Sequence, residues 1–508
     1  MMAAKKSDQV AMTLKQLLAD YVALDCLPDI PVTGLSLDSR DIKPGNIFVA
    51  LAGHKEHGLA YAEGAVARGA VAVLCDRKFD QYCQQILSAL MTQVICIPIT
   101  NLKAHLGEIA DRFYGAASSR LFTVGVTGTD GKTSVSHFIA QALHEPLHKS
   151  AVLGTIGNGL VDDLQASTHT TQDVIQVHRM LAELEQQGAD QVAMEVSSHG
   201  LDQGRVDGVQ FDVAVLTNLG RDHLDYHGGL DEYRRAKRRL FKRPGLQALV
   251  LNVDDEFGRQ LATDFQSDTV IWSYAVDSSD FKSTHHLQAS DVNVHGDGIA
   301  MHVTSPIGEA DINIPLLGAF NVSNVLATLA VLLIRGIDFE AAIQRLQQLK
   351  TVPGRMQTLK TAQSPLLVID YAHTPQALKS VLNSLRQHCR GELICVFGCG
   401  GDRDKGKRPL MARAAEQFAD RIIVTDDNPR TEDGDVIIDD IFDGFNDAAR
   451  AERIRDRRQA IEFAIQQAKP NDIVLIAGKG HENYQIFGYD KVPFSDYDEA
   501  LKLIGGRE

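Results

Sequence analysis

Residues 121–143 read LFTVGVTGTDGKTSVSHFIAQAL, and the reading of this stretch decides the fold. A β-branched apolar run gives way to a glycine-punctuated turn, after which apolar residues recur at helical spacing. Strand, glycine loop and helix are predicted in immediate succession. Glycines let backbone N–H groups approach phosphate oxygens, and the start of a helix adds positive potential. Gly128, Thr129, Asp130, Gly131, Lys132, Thr133 and Ser134 are therefore candidate nucleotide-binding residues. Lys132 would neutralise the β/γ phosphates and the Thr133 hydroxyl would ligate magnesium. The strict pattern G-x-x-x-x-G-K-[ST] misses by one place, because Val126 stands where its first glycine belongs. Gly125, Gly128 and Gly131 instead spell a G-x-x-G-x-x-G-K-T variant. The competing reading is an ordinary glycine-rich turn, and the flanking strand and helix favour the nucleotide loop.

Outward from this loop the same alternation of short apolar runs and longer helical patterns continues, the mark of α/β units around parallel sheets. NIFVAL, AVAVLC and VICIPI precede it; DQVAMEVSS, VAVLTNLG and ALVLNVDD follow it. VNVHGDGIAMHVTSPIGEADINIPLLG alternates like a small antiparallel sheet. After TVPGRMQ a further α/β series begins with LLVIDYAHTP, LICVFGCGG, RIIVTDDNP and DIVLIAGKG. A chain of 508 residues is too long for one core. Breaks near Thr100 and Pro353-Gly354 give three domains: an α/β domain over 1–100, a central P-loop ATPase-like parallel sheet with a small antiparallel sheet over 101–353, and a Rossmann-like domain over 354–508.

The net charge of -15 argues against nonspecific nucleic-acid binding. No stretch approaches the roughly 20 apolar residues of a membrane span, and the first residues lack the continuous apolar run of a signal peptide. Seven cysteines, odd in number and without a Cys-x-x-Cys pair, read as reduced thiols. A cytoplasmic protein is expected, with neither nucleic acid nor membrane insertion.

Three polar groups follow the loop. Glu195 ends the strand of VAMEVSSHG, and Asp222, His223, Asp225 and His227 cluster in TNLGRDHLDYHG. Carboxylates near a phosphate loop normally serve magnesium, which prefers oxygen ligands. His223 and His227 at i,i+4 raise zinc, but a third ligand at zinc-like spacing is missing. In DEYRRAKRRLF, residues 231–241, Tyr233, Ala236, Leu240 and Phe241 share one helical face with Lys237, which lies about 40° from Tyr233 on an ideal helix. A buried lysine loses proton affinity, and its neutral amine can take up carbon dioxide to give an oxygen-bearing carbamate. The alternative is a lysine that packs its stem and keeps its head in water. The periodicity alone favours this second reading.

TGTDGKTS, MEVSSHGL, TNLGRDHLDYHG and YRRAKRRLF together resemble the Mur ligase family, ATP-dependent amide-bond ligases of peptidoglycan precursor synthesis. LLGAFNVSNVLAT, VPGRMQ, DYAHTP and GKGHE extend the resemblance over nearly the whole chain, and TDDNPRTED narrows it to members that add meso-diaminopimelate. The resemblance implies attachment of meso-diaminopimelate to UDP-N-acetylmuramoyl-L-alanyl-D-glutamate through an acyl phosphate, with ATP and Mg2+. It places the family's magnesium-holding carbamate, N6-carboxylysine, on Lys237, with carbon dioxide as its source, and the metal ligands on Thr133, Glu195, His223 and Lys237.

Lys132, Lys237, His223 and Arg355 would be the catalytic set. Asn321 and Asn324 of FNVSN, with Arg355, Asp370 and His373, would complete the ATP site; helix capping is the alternative for the asparagines. The N-terminal domain would hold the uridine end through Leu37 and Ser39 of LSLDSR. Thr170 and Thr171 of HTTQD, then Ser197, Gln203 and Arg205, would hold the muramoyl dipeptide. His169 and Asp130 both stand where relatives commonly carry asparagine. For the amino acid, Arg403, Asp427, Asn428, Arg430, Gly478 and Glu482 would clamp a distal carboxylate and receive a distal ammonium. A folylpolyglutamate synthase-like ligase and an inactive nucleotide-binding scaffold are the alternatives. DDNPR and LDSR oppose the first, and the intact set Lys132, Thr133, Glu195, His223 and Lys237 opposes the second.

Overall fold

Strands buried on both faces need no polar alternation, and the apolar runs become parallel strands for that reason. The computed structural model describes residues 12–505 apart from 54–55, 78–80, 168, 268, 277–280, 282 and 362–363. Two compact units divide the chain. The first runs to Gly128 and includes His144–Ala214 and Gly220–Gln247; the second takes Thr129–Leu143, Val215–Leu219 and the chain from Ala248.

In the first unit, β1 (Gly34–Ser36), β2 (Asn46–Ala50), β3 (Ala72–Asp76) and β4 (Ile95–Ile99) form a parallel sheet in that order. One face packs Leu35, Ile47, Val49 and Leu74 against Leu106 and Ile109 of the helix Leu102–Phe113, and against Val174 and Ile175. The same unit holds β5 (Phe122–Thr127), β6 (Lys149–Leu153), β7 (Gly157–Leu160), β8 (Asp163–Ala166) and β9 (Ala189–Glu195), ordered β5-β9-β6-β7-β8. β9 runs parallel to both β5 and β6, in a register that sets Glu195 opposite Val126. The last residue of β9 therefore lies at the mouth of the phosphate loop. The helix Leu230–Phe241 buries Tyr233, Ala236, Lys237, Leu240 and Phe241, the face its periodicity selects.

β10 (Val213–Leu216) carries the chain toward the second unit. There β11 (Ala248–Asn252), β12 (Val270–Ala275) and β13 (His285–His295) are parallel neighbours. β14 (Gly298–Ser305) and β15 (Gly308–Ile314) continue antiparallel from β13. The expected antiparallel sheet is thus present, but as an extension of a parallel one. The remaining strands are β16 (Gln357–Leu359), β17 (Leu366–Asp370), β18 (Leu393–Phe397), β19 (Arg421–Val424), β20 (Ala451–Arg453) and β21 (Ile473–Ala477). They form a sheet ordered β16-β17-β21-β18-β19-β20, antiparallel only at β16. Apolar helices cover both faces, as a Rossmann-like sheet requires. β22 (Tyr484–Phe487) and β23 (Asp490–Pro493) form a hairpin.

One ion pair is wholly buried in this unit. Arg457 Nε and Nη2 each donate to Asp496 at 2.7 Å, and both side chains are 0% exposed. Removing one partner of such a pair strands the other charge in low dielectric. Arg457→Met is expected to cost about 3–5 kcal/mol by urea unfolding, and Arg457→Met/Asp496→Leu to recover most of that loss.

Candidate active site

The nucleotide loop is held by its backbone. Thr129 N–H donates to the Asn218 carbonyl at 2.9 Å, Asp130 N–H to Asn218 Oδ1 at 2.9 Å, and Thr217 Oγ1 to the Asp130 carbonyl at 2.6 Å. The Asp130 side chain is exposed, so its departure from asparagine leaves this clamp unchanged. Gly131 adopts φ +81°, and a Cβ there would stand 2.8 Å from Asn324 Oδ1, so the glycine is required twice over. Lys132 Nζ donates to the Thr129 carbonyl at 2.7 Å, Thr133 is buried and Ser134 half-buried. Asn321 donates to the Leu317 carbonyl at 2.7 Å and Asn324 to Asn321 Oδ1 at 2.8 Å. The helix Phe320–Ile334 has no side-chain cap, so these asparagines build the wall behind Gly131 instead of capping.

Arg355 lies 5.0 Å from the Tyr371 ring centroid, and its Nε is buried without a hydrogen-bond partner among the described residues. A buried guanidinium donor of this kind fits an anionic oxygen. Asp370 accepts from the backbone N–H of Met356 and of Ala372, each at 2.8 Å, and burial pushes its pKa up against the pull of Arg355. His373 is tied by Nδ1 to the Tyr371 carbonyl at 2.9 Å. Thr374 caps the helix Pro375–His388, with proline at its start. His137, from the helix that the phosphate loop opens, and His481 join this group. Burial and Arg355 hold both neutral, His137 at a pKa of about 4. A Cβ on Gly354 would stand 2.2 Å from His481 N, which explains the glycine before Arg355.

In the first unit Glu195, one of the groups predicted for magnesium, shares a network with Thr170, Thr171, Ser197, Gln203 and Arg205, predicted for the muramoyl dipeptide. Glu195 is fully buried; Oε1 accepts from Thr155 N–H at 2.7 Å and Oε2 from Thr155 Oγ1 at 3.1 Å. Thr155 Oγ1 lies 3.0 Å from Thr170 Oγ1, Thr171 Oγ1 donates to the Glu195 carbonyl at 3.0 Å, and Ser197 Oγ lies 3.1 Å from Thr171 Oγ1. Arg205 donates to the Thr171 carbonyl at 2.7 Å and to Gln203 Oε1, while Gln203 Nε2 reaches Tyr226 at 3.1 Å. His169 is exposed, and its carbonyl accepts from Ser167 Oγ at 2.7 Å. Leu37 packs on the cluster containing Val174 and Ile175, and Ser39 begins a short 3-10 turn capped by Asp38.

Lys237 is 1% exposed. Its Nζ donates to the Gly128 carbonyl at 2.6 Å and sits 4.5 Å from the Tyr233 ring centroid. The amine points inward to the phosphate loop, and the reading with its head in water does not hold. His223 is half-exposed at φ +52°, 4.7 Å ring to ring from His199 and 3.3 Å from Asp222. Among the described residues no three His, Cys, Asp or Glu side chains converge as a metal-binding group. Magnesium asks instead for hard oxygens, and the Thr133 hydroxyl and Glu195 carboxylate are of that kind.

Four loops follow the carboxyl ends of β17, β21, β18 and β19, the edge of an α/β sheet where ligands bind. Asn428 Nδ2 donates to Glu482 Oε2 at 3.1 Å, and a Cβ on Gly478 would meet Asp427 Oδ2 at 2.7 Å. Arg430 adopts φ +54°, strain of the sort that marks functional sites. Its backbone bonds the hairpin through Ile486 O at 3.0 Å, and its Nη1 donates to the Gly401 carbonyl at 2.9 Å. Arg403 is exposed beside it, donating to the Asp402 carbonyl at 3.0 Å. The predicted amino-acid residues therefore gather at one sheet edge. Sequence reasoning missed Thr155, Tyr226, His137, His481 and Lys479, whose roles arise from partners remote in the chain; for Lys479 and His481 the only signal was membership of GKGHE.

Residues 31–114, 126–332 and 354–480 match the families described as Mur ligase family catalytic domain, Mur ligase middle domain and Mur ligase glutamate ligase domain. The chain is 48% identical to the UDP-N-acetylmuramoyl-L-alanyl-D-glutamate–2,6-diaminopimelate ligase of Alkalilimnicola ehrlichii, covering 98% of this chain and 99% of the relative. The chain belongs to the Mur ligase family. The Coxiella burnetii ligase of the same name is 45% identical over 94% of this chain and 96% of its own. A solved ligase of that name matches at TM-score 0.72 and 36% identity, covering 98% of this chain and 99% of that one. The folylpolyglutamate synthase of Mycobacterium tuberculosis shares only the fold, at TM-score 0.59 and 19% identity over 74% of this chain and 92% of its own. The family matches give the three-domain α/β architecture of a Mur ligase, in the expected order.

The neutral His137 makes stability depend on pH. The folded chain resists its protonation down to about pH 4, whereas the unfolded chain takes that proton near 6.5. Stability is present above 6.5 and is lost as pH falls toward 4, by on the order of 3 kcal/mol for this residue. His137→Met is expected to flatten that part of the decline in urea midpoints measured across this window. His481 and His388, also depressed by burial, keep the remaining slope.

Proposed function

We propose that this Mur ligase adds meso-diaminopimelate to UDP-N-acetylmuramoyl-L-alanyl-D-glutamate with consumption of ATP, in cytoplasmic peptidoglycan precursor synthesis. The observation that carries this reading is the near full-length match to ligases of that name, joined to the cluster of Asp427, Asn428, Arg430 and Glu482 at one sheet edge. Among the described residues no helix is long and apolar enough to cross a membrane. The domains are assigned to 1–100 for the uridine end, 101–353 for ATP and 354–508 for the amino acid.

In the reaction, the terminal carboxylate of the D-glutamyl residue attacks the γ-phosphorus of ATP, giving an acyl phosphate and ADP. The free amine of meso-diaminopimelate then attacks the acyl carbon; the tetrahedral adduct loses inorganic phosphate and a proton, leaving the amide. Direct condensation would require an anionic carboxylate to expel an oxide, and phosphorylation removes that barrier. Lys132 and Arg355 offset the charge that develops on the transferring phosphoryl group. Gly128, Thr129, Asp130, Gly131, Thr133, Ser134, Asn321, Asn324, Asp370 and His373 shape the nucleotide site around them. Thr170, Thr171, Ser197, Gln203 and Arg205 hold the dipeptide, and Leu37 and Ser39 the uridine end.

Thr133, Glu195, His223 and a Lys237 carbamate formed from carbon dioxide would hold Mg2+, which would supply charge neutralisation for the phosphates. The burial of Lys237 against the Gly128 carbonyl supports that chemistry, because a carbamate is neutralised by metal where a bare ammonium would repel it. Arg403 and Arg430 would hold the distal carboxylate of the amino acid, with Asp427, Asn428, Gly478 and Glu482 around its ammonium. Lysine lacks that carboxylate and would leave the guanidinium groups uncompensated.

The test is ADP release with the dipeptide precursor and either meso-diaminopimelate, lysine or a folate acceptor. Turnover with meso-diaminopimelate alone is expected, with 18O from the acceptor carboxylate appearing in the released phosphate; turnover with lysine or the folate in its place refutes the assignment. Lys237→Ala is expected to be nearly inactive and partly rescued by added short carboxylates, whereas substantial unaided activity removes the carbamate.

A further inference from the structure

Lys479, within GKGHE, is 0% exposed. Its Nζ stands 3.1 Å from Glu482 Oε2, 3.3 Å from Asn428 Oδ1 and 3.8 Å from Asp427 Oδ1. One buried ammonium therefore touches three side chains assigned above to the amino acid. We propose that Lys479 is a positioning residue that sets the specificity of the amino-acid pocket: it orients Asn428 and Glu482 and leaves the side of the pocket that receives the distal ammonium one net negative charge. The proposal rests on the pocket assignment of the preceding subsection.

The orientation follows from donor counting. Lys479 Nζ and Ile486 N–H, the latter at 3.0 Å, both point at Asn428 Oδ1, so the amide cannot turn over without facing two donors with a third. Its Nδ2 is thereby committed to Glu482 Oε2 at 3.1 Å. That oxygen now accepts from both Asn428 and Lys479, which fixes the carboxylate and leaves Oε1 for an incoming donor. The backbone restricts Asp427 from the other side, since even a Cβ on Gly478 would come within 2.7 Å of its Oδ2.

The charge count applies to the groups around the distal ammonium. There Asp427 and Glu482 bring two negative charges and Lys479 one positive, while Arg403 and Arg430 are assigned to the distal carboxylate and stand outside the count. Arg457, the nearby buried guanidinium, is neutralised by Asp496 and does not enter the sum. One negative charge remains, the complement of one ammonium. Without Lys479 the two carboxylates would face each other across a desolvated site, and one would protonate or recruit a bulk cation. The Tyr484 ring, with its centroid 5.5 Å from Nζ, adds a further face that favours a cation at this position.

The experiment is steady-state kinetics on the full-length ligase carrying Lys479→Met. The KM for meso-diaminopimelate is expected to rise about 10- to 100-fold, the loss of one charged hydrogen-bonding group, and kcat to fall less. The KM values for ATP and the UDP-muramoyl dipeptide should stay within about twofold. Lys479→Met/Glu482→Gln removes the ammonium together with one of its acceptor charges, which keeps the test open if the single variant does not fold. Its KM for meso-diaminopimelate should be no worse than that of Glu482→Gln alone, because the lysine acts through that carboxylate. An unchanged KM in Lys479→Met, additive losses in the double variant, or a parallel loss for all three substrates each overturns the proposal. Arg430→Met is the control. If it leaves the meso-diaminopimelate KM unchanged, the pocket lies elsewhere and the Lys479 proposal falls with it; if it raises KM while Lys479→Met does not, only the Lys479 proposal fails.

Discussion

A parallel strand buried on both faces has room for chemistry only where it ends, and this constraint organises the molecule. β11, β17, β18 and β21 are buried at every position. Their sequences are spent on filling the space between helices, so polar side chains inside them would be desolvated without return. Glu195 and Asp370 terminate β9 and β17, the phosphate loop follows β5, and the loops bearing Arg403, Asp427 and Gly478 follow β18, β19 and β21. Parallel registry then aligns those ends. The parallel register pairs Val126, two residues before Gly128, with Glu195 at the end of β9.

At those strand ends the molecule accepts buried charge, and three of the deeply buried cations among the described residues, Arg457, Lys479 and Lys237, are held in different ways. Arg457 faces one carboxylate in a two-point pair and works as a fastener between helix and chain terminus. Lys479 is shared among two carboxylates and an amide, so its charge is distributed over groups that meet a ligand. Lys237 donates to a backbone carbonyl and lies over an aromatic ring. Arg457 thus ties two elements together, Lys479 orients the polar groups around it, and the Lys237 amine is set against the backbone at the start of the nucleotide loop.

Periodicity and punctuation made the sheets and the nucleotide loop legible and put Lys237 on the apolar face of its helix, while periodicity alone favoured an amine in water. The five apolar-face residues of the helix Leu230–Phe241 are those the helical wheel selects. The strand-end loops DDNPR and GKGHE were likewise visible as separate motifs. Their union was not: Asn428 and Glu482 meet across 54 residues, and Thr155 reaches Glu195 across 40. Contacts of that range are set by strand order, which the local pattern leaves open. The asparagines of FNVSN show the same limit, since Asn324 looked like a helix cap until Gly131 was seen to need the space in front of it. The join of the antiparallel meander to β12 is a further case, because the first half of β13 pairs parallel and its second half reads the same in sequence.

Asp130 shows which part of a nucleotide loop is constrained. Its N–H and carbonyl are both gripped by the Thr217-Asn218 segment, while its carboxylate faces outward. Phosphate recognition in such loops uses backbone N–H groups and the helix terminus, neither of which depends on this side chain. The backbone clamp is therefore the same whether aspartate or asparagine stands here, in contrast to Gly131, where the left-handed backbone and the 2.8 Å approach to Asn324 leave no alternative. The tolerance of one position and the rigidity of the next have a common origin: the loop is shaped by what its backbone must touch.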